Sequence, residues 1–276
     1  MRILFCGDVV GKTGRKSILE HVPRLREEWK LDFVIVNGEN AAHGFGITEK
    51  ICKTFYDAGV DVITTGNHVW DQKEVLSYIK EDERLLRPLN YAEGSPGNGA
   101  GIFEAADGRK VMVIHPMGRL FMELVDDPFK AVDRTLDNHR LGVSADCIVV
   151  DIHAEATSEK MAMGHYLDGR VSMVVGSHSH VPTADAQILP GGTAYQTDLG
   201  MCGDYDSVIG MQKQTAVDRF VKKVPGARLE PAVGDATLCG VLLETDDETG
   251  LAQGISPVRI GGRLAGTTPD AGTAVI

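Results

Sequence analysis

The sequence predicts a single α/β domain, on three observations. Short apolar runs of Val, Ile, Leu and Phe alternate with helical patterns through the first half of the chain. The strands read in the remainder are shorter and closer together, as in an antiparallel sheet. The 276 residues, 43% hydrophobic and 24% charged, have an ordinary globular balance that excludes a disordered chain. No stretch rich in Pro, Gly or Ser is long enough to separate a pair of domains, so residues 1–276 are read as one unit.

The elements follow in order. Arg2–Cys6 is a buried strand, Gly14–Trp29 a helix, Phe33–Asn37 a strand, Thr48–Ala58 a helix, Asp61–Thr65 a strand and Gln72–Ile79 a helix. Asn90–Gly101, with four glycines and one proline, reads as a loop. Lys110–His115, Cys147–Ile152 and Val171–Gly176 are strands, separated by helices at Phe129–Leu141 and Thr157–Leu167; Thr157-Ser158-Glu159-Lys160 makes a good first turn. Ala186–Leu189, Thr193–Asp198, Leu238–Glu244 and Leu251–Ile260 are the later strands. The tail 261–276, rich in Gly and Thr, is expected to be loosely held.

Composition excludes several classes of function. No apolar run exceeds four residues, where a spanning helix needs about 20, so no membrane is expected as a partner. The N-terminal run meets Gly7-Asp8 too early for a secretory signal. A net charge of −11 repels a polyanion and argues against a stable complex with duplex nucleic acid. It does not exclude a small anion held through metal charge, and it allows a homo-oligomer without demanding one. Neighbouring cysteines among Cys6, Cys52, Cys147, Cys202 and Cys239 are never closer than 37 residues. That spacing fits neither a zinc ribbon nor a disulfide scaffold and favours a reduced, cytoplasmic protein.

The informative pattern lies at the strand ends. Successive strands run into Gly7-Asp8, Asn37-Gly38-Glu39-Asn40, Gly66-Asn67-His68, His153, and Gly176-Ser177-His178-Ser179-His180. In open α/β sheets, ligands bind outside the carboxyl ends of the strands. One Asp there is most often a turn or capping residue, and one His a packed one. Five strand ends carrying metal-ligand types, four of them beside a glycine, point to a metal site. Gly11-Lys12-Thr13 suggests a phosphate-binding P-loop, but that motif requires a glycine where Cys6 stands, and Gly7 comes one residue too late.

The order Gly-Asp, Gly-Glu-Asn, Gly-Asn-His, His, Gly-Ser-His-Ser-His resembles the calcineurin-like metallophosphoesterases over about 170 residues. The segments GDVVGKTGR, NGEN, TTGNHVWD, HAEATSEK, GSHSHVPTAD and TDLGM resemble the YmdB-type branch more closely. The resemblance implies a four-layer α/β/β/α sandwich with two mixed sheets. It also implies a phosphodiesterase acting on 2′,3′-cyclic nucleotides such as 2′,3′-cAMP through a two-metal centre and a bridging hydroxide. By the family pattern Glu39 bridges the metals, Asp8, His180 and Asn40 hold the first, and Asn67, His153 and His178 hold the second. Two departures from the wider superfamily add weight to Glu39 and Asn40. The usual Asp-x-His of the first motif is Asp8-Val9-Val10, and the usual bridging Asp is Glu39.

Mixed nitrogen and oxygen ligands suit Fe or Mn, with Zn as an alternative, over Ca or Mg. His68, next to a ligand but outside the set, is the candidate general acid. His43 and Phe45, in a glycine-flanked loop past Asn40, are candidate substrate contacts, and Arg15 is a candidate phosphate contact. Thr183 and Asp185 are candidate partners for a ligand ring N–H. His21, His139 and His165 fall in helical patterns and His115 ends a strand; all four read as packing or surface residues. Another phosphoesterase activity on the same site (on monoesters, phosphoproteins or oligonucleotides), or a non-catalytic metal- or nucleotide-binding regulator, are the competing readings.

Overall fold

A computed structural model describes residues 1–222 and 226–269. Two mixed sheets stack face to face with helices on their outer faces, the four-layer arrangement expected. The first sheet runs β2 (Asp8–Val9), β12 (Met201–Asp204), β13 (Ala236–Thr245), β1 (Arg2–Cys6), β3 (Phe33–Asn37), β4 (Val62–Thr64), β5 (Leu85–Leu86), with β14 (Ala252–Ile260) also paired to β13. From β1 to β5 the pairing is parallel; β13 is antiparallel to β1, β12 and β14. The second sheet runs β10 (Gln187–Ile188), β11 (Ala194–Gln196), β9 (Met173–Ser177), β8 (Cys147–His153), β7 (Lys110–Ile114), β6 (Ala100–Glu104), parallel across its centre and antiparallel at both edges.

The period-2 alternation of strand side chains builds this stack. In β1 and β3, Ile3, Phe5, Phe33 and Ile35 enter the core shared with Val111, Val113, Val149 and Val175 of the other sheet. Their neighbours Leu4, Cys6, Val34 and Val36 enter a second core under α1 (Gly11–Glu28) and α2 (Glu49–Asp57), with Ile18, Val22 and Phe55. On the far side Met112, Ile114, Ile148 and Val150 meet Val132 and Leu136 of α4 (Pro128–Leu136) and Met163 and Leu167 of α5 (Thr157–Leu167). Strands apolar on both faces therefore read as continuous runs because both faces are covered.

Several sequence expectations change. The later strands do not form an antiparallel sheet of their own: β13 and β14 complete the first sheet, β10 and β11 the second. The helix read at Gln72–Ile79 shrinks to α3 (Val75–Tyr78), and the helix read at Phe129–Leu141 stops at Leu136, so His139 lies in a turn beyond it. β6 occupies the end of the glycine-rich stretch read as a loop, and α6 (Lys213–Lys222) has no counterpart in the sequence reading. In the tail, Thr267 folds back to exchange hydrogen bonds of 2.7 and 3.0 Å with Arg259; residues 270–276 lie outside the described residues. All five cysteines are free and buried. Among the described residues no helix is long and apolar enough to cross a membrane.

Candidate metal centre

The loops following β1, β3, β4, β8 and β9 converge on one edge of the sandwich. Two groups of ligand atoms form there, Asp8 with Glu39 and His180, and Glu39 with His153 and His178, each within 4.8 Å of one another. Glu39 belongs to both. Asn40 Oδ1 lies 3.1 Å from His180 Nε2, and Asn67 Oδ1 lies 3.1 Å from His153 Nε2. All seven residues read as ligands from the sequence are thus brought together.

Local structure explains how. Asn37 ties the ends of β3 and β4 together, donating to Thr65 O at 2.7 Å and accepting the Glu39 N–H at 3.1 Å. A Cβ on Gly66 would collide with Glu39 Oε2 and His153 Nε2, so only glycine leaves the cradle open. His178 and His180 take φ values of 92° and 64°, a region costly for non-glycine residues and held only where surroundings enforce it. The enforcing contacts cross the molecule. Asp8 accepts the His178 N–H at 3.2 Å, and Asp198 accepts the Ser179 N–H at 3.1 Å. Lys160, fully buried on α5, donates to Ser177 O at 2.7 Å and to Asp198 at 2.6 Å.

Ring orientations leave the converging nitrogens free. His180 Nδ1 donates to Ile209 O at 2.8 Å. The Ser177 hydroxyl donates to Asp151 at 2.7 Å and accepts from His153 Nδ1 at 2.9 Å. In both cases the Nε2 lone pair is available to a metal. The amide of Asn40 is fixed by its donation to Gly44 O at 3.1 Å, which turns its oxygen to the site.

Electrostatics point the same way. Burial, then the carboxylates of Asp198, Glu39 and Asp151, push the Asp8 carboxyl well above its ordinary range. Burial also pushes Glu39 up, but the charge and hydrogen bond of His153, with His68 and His178, outweigh it and hold Glu39 below the usual range. Burial and His153 push His178 down to about 3, and burial lowers His180. The imidazoles of His178 and His180, kept neutral and facing a surplus of buried carboxylates, with convergent N and O atoms and no sulfur, fit divalent transition-metal ions.

The remaining candidates divide. His68 is half-buried at the rim, its N–H 3.3 Å from Glu39 Oε2 and its Nδ1 2.9 Å from Asp71 Oδ2; its ring packs edge-on against Phe45 at 5.1 Å between centroids. His43 is exposed, with φ 56°. Arg15 donates to Ala41 O. Thr183 and Asp185 do not reach a ligand ring: they bond Asp198 and Thr197, and Ile209 O and Ser177 serve the rings instead. His115 is buried beneath the site, its Nδ1 3.1 Å from Asp151 Oδ2 and its ring edge-on to that of His153 at 6.0 Å between centroids.

Sequence reasoning missed Asp151, Ser177, Lys160, Asp198, Asp71 and Glu155, the last with Oε2 3.3 Å from His178 Nε2. Polar residues inside otherwise apolar strands, as at Asp151 and Ser177, were the available signal, and Asp71 stands three residues after His68. Nothing in the pattern of α5 marked Lys160 as buried.

The model of a family described as "YmdB-like protein" matches residues 4–258. A Bacillus subtilis protein named 2′,3′-cyclic-nucleotide 2′-phosphodiesterase is 48% identical over 260 residues, covering 94% of this chain and 97% of that protein. A Mycoplasma pneumoniae protein named putative phosphatase/phosphodiesterase is 38% identical, covering 90% and 89%. Among solved structures, a hypothetical protein from Thermus thermophilus superposes with TM-score 0.88 at 44% identity, covering 95% and 100%. A Mycoplasma pneumoniae structure described as a novel phosphatase superposes with TM-score 0.87 at 35% identity, covering 98% and 95%.

Proposed function

The chain belongs to the YmdB-like family, and from that premise we propose that it is a metal-dependent phosphodiesterase that hydrolyses 2′,3′-cyclic nucleotides such as 2′,3′-cAMP. The observation that carries the reading is Glu39, shared by two groups of ligand atoms. Asp8, Asn40 and His180 with Glu39 hold one divalent ion, and Asn67, His153 and His178 with Glu39 the other; Fe and Mn fit the donors best, then Zn. When bound, the ions supply a water activated for attack on phosphorus and positive charge against the phosphoryl oxygens.

The chain's own residues do the rest. Addition of water to phosphorus breaks one ribose P–O bond, and the departing oxygen needs a proton. His68 is placed to give it: Asp71 holds Nδ1, fixing the ring's orientation and tautomer, and Nε2 makes no hydrogen bond among the described residues. Cleavage at the 2′ oxygen, as the name of the Bacillus relative has it, leaves a 3′-phosphate. Phe45 offers an aromatic face beside His68, His43 lies in the same loop, and Arg15 keeps guanidinium N–H groups beyond the one given to Ala41.

The test is hydrolysis by Mn²⁺-loaded protein of 2′,3′-cAMP, nucleoside monophosphates and bis-p-nitrophenyl phosphate. The cyclic nucleotide is expected to be the preferred substrate. Preference for monoesters supports the phosphatase reading instead, and no turnover at all supports a binding module. His68→Ala is expected to keep its metals and lose roughly 10²–10⁴ in rate on the cyclic nucleotide but much less on the nitrophenyl ester, whose leaving group needs no proton. Glu39→Gln is expected to lose metal and damage both substrates alike. An equal penalty on both substrates in the His68 variant removes the acid role.

A further inference from the structure

Beside the metal centre opens a cavity of about 730 Å³, lined by Lys12, Arg15, His43, Asp71, Arg228 and Glu230 with a few apolar and amide side chains. Its size suits a nucleotide-sized ligand. It joins the centre through His68, whose Asp71 partner lies in the cavity wall, and through Phe45, whose ring lies 5.1 Å from His68 and 5.9 Å from the Arg228 guanidinium. Two distant segments supply the cations, the start of α1 and the strand-free stretch before β13. In a chain of net charge −11, three cations gathered in one cavity need a reason.

None of the three forms an ion pair among the described residues, although Asp71 and Glu230 line the same space. Asp71 is engaged by His68, and Glu230 Oε2 lies 3.4 Å from Gln212 Nε2. Burial lowers the Arg15 pKa with no carboxylate offsetting it. Unpaired Arg and Lys side chains converging on a nucleotide-sized space are the donors that phosphate oxygens require. Gly11-Lys12-Thr13, whose spacing fails for a P-loop, contributes its lysine here.

We propose that this cavity binds a second phosphate of the substrate, in addition to the one cleaved at the metal centre. This rests on the cyclic-nucleotide reading above and narrows it: the favoured substrates are 2′,3′-cyclic nucleotides that also carry a 5′-terminal phosphate or an internucleotide phosphate. Longer RNA is disfavoured because the rest of the surface repels a polyanion.

The experiment compares kcat/KM for 2′,3′-cAMP, its 5′-phosphorylated form, a dinucleotide ending in a 2′,3′-cyclic phosphate, and bis-p-nitrophenyl phosphate, with metal-loaded wild type, Lys12→Ala and Arg228→Ala. The doubly phosphorylated substrates are expected to be preferred about tenfold or more over 2′,3′-cAMP, through KM. Each substitution is expected to lower kcat/KM about tenfold more on those substrates than on the nitrophenyl ester, as loss of one charge-assisted hydrogen bond of about 1.4 kcal/mol implies. Preference for the 5′-phosphorylated mononucleotide alone assigns the subsite to a terminal phosphate, and for the dinucleotide alone to an internucleotide one. No preference for either, or equal penalties on all substrates, overturns the proposal. A second arm does not depend on cyclic-nucleotide turnover. Adenosine 3′,5′-bisphosphate is expected to inhibit nitrophenyl ester hydrolysis about tenfold more strongly than adenosine 3′-phosphate, with the gap closing in Arg228→Ala. Should cyclic nucleotides prove not to be substrates while this gap persists, the substrate reading fails and the second-phosphate site stands; a missing gap removes the site whatever the substrate.

Discussion

Gly66 shows how a residue with no functional group can decide a site. Its missing side chain leaves the space where Glu39 Oε2 and His153 Nε2 approach each other. Gly66→Ala is expected to fold, because the collision is with two side chains, but to displace both ligands. Activity should fall roughly 10²-fold or more, as ångström-scale misplacement of a reacting constellation does, with metal content falling alongside. Metal analysis and nitrophenyl ester hydrolysis on protein with a wild-type circular dichroism spectrum check this; full occupancy and rate would mean that Glu39 and His153 relax freely. The ligands themselves were legible in the sequence because each ends an apolar run, most beside a glycine that permits close approach. The supporting residues were not. Asp151 and Ser177 sit inside β8 and β9, where a buried polar side chain breaks the apolar pattern without announcing its partner, and the His153–Ser177–Asp151 chain exists only once the strands pair.

Between elements, the Lys160–Asp198 pair fastens α5 to the segment after β11 and, through Ser177 O and the Ser179 N–H, to the strained His178–His180 turn. Both side chains are essentially inaccessible to solvent. Lys160→Met would leave Asp198 buried without its cation, a change that typically costs 3–5 kcal/mol, so about that loss is expected in denaturant unfolding of the metal-free protein. Because the turn carries two ligands, weaker metal binding should accompany it; unchanged stability would mean that the Ser179 and Gly200 N–H groups satisfy Asp198 without the lysine. The strands that pack on both faces were readable from their uninterrupted apolar runs, and the longer helices from their helical spacing of apolar residues. Of those that were not, β12 is interrupted by Gly203 and gains its identity from the distant β2 and β13, while β6, only partly buried and carrying Gly101, is an edge strand that among the described residues pairs with β7 alone. The assignment of β13 and β14 to the first sheet is likewise set by β1 at the other end of the chain.

For the whole molecule, the buried carboxylates set a pH dependence whose sign follows from Asp8. Its folded pKa lies well above the unfolded one. Its contribution to the stability of the metal-free protein is therefore fully present below the unfolded pKa and is lost as pH rises through the folded one. A divalent cation removes that penalty by neutralising the carboxylates. The thermal shift produced by Mn²⁺ is therefore expected to grow between about pH 5 and about pH 8, with protons released on binding. His178, at about 3, is already neutral throughout that interval and cannot supply the trend. Melting curves with and without Mn²⁺ across the interval test it, and a shift that shrinks with rising pH would contradict the role given to Asp8.

The centre is assembled from both sheets: Asp8 meets His178 across 170 positions of sequence, and Glu39 meets His153 across the interface between the layers. No partly folded species containing one sheet alone can possess it. Such sequence-distant closures carry a high loop-closure cost and are slow to form. A bound cation therefore cannot act as a nucleus that hastens folding. It acts as a latch on the finished molecule, prolonging the lifetime of the native state while leaving the route to it untouched.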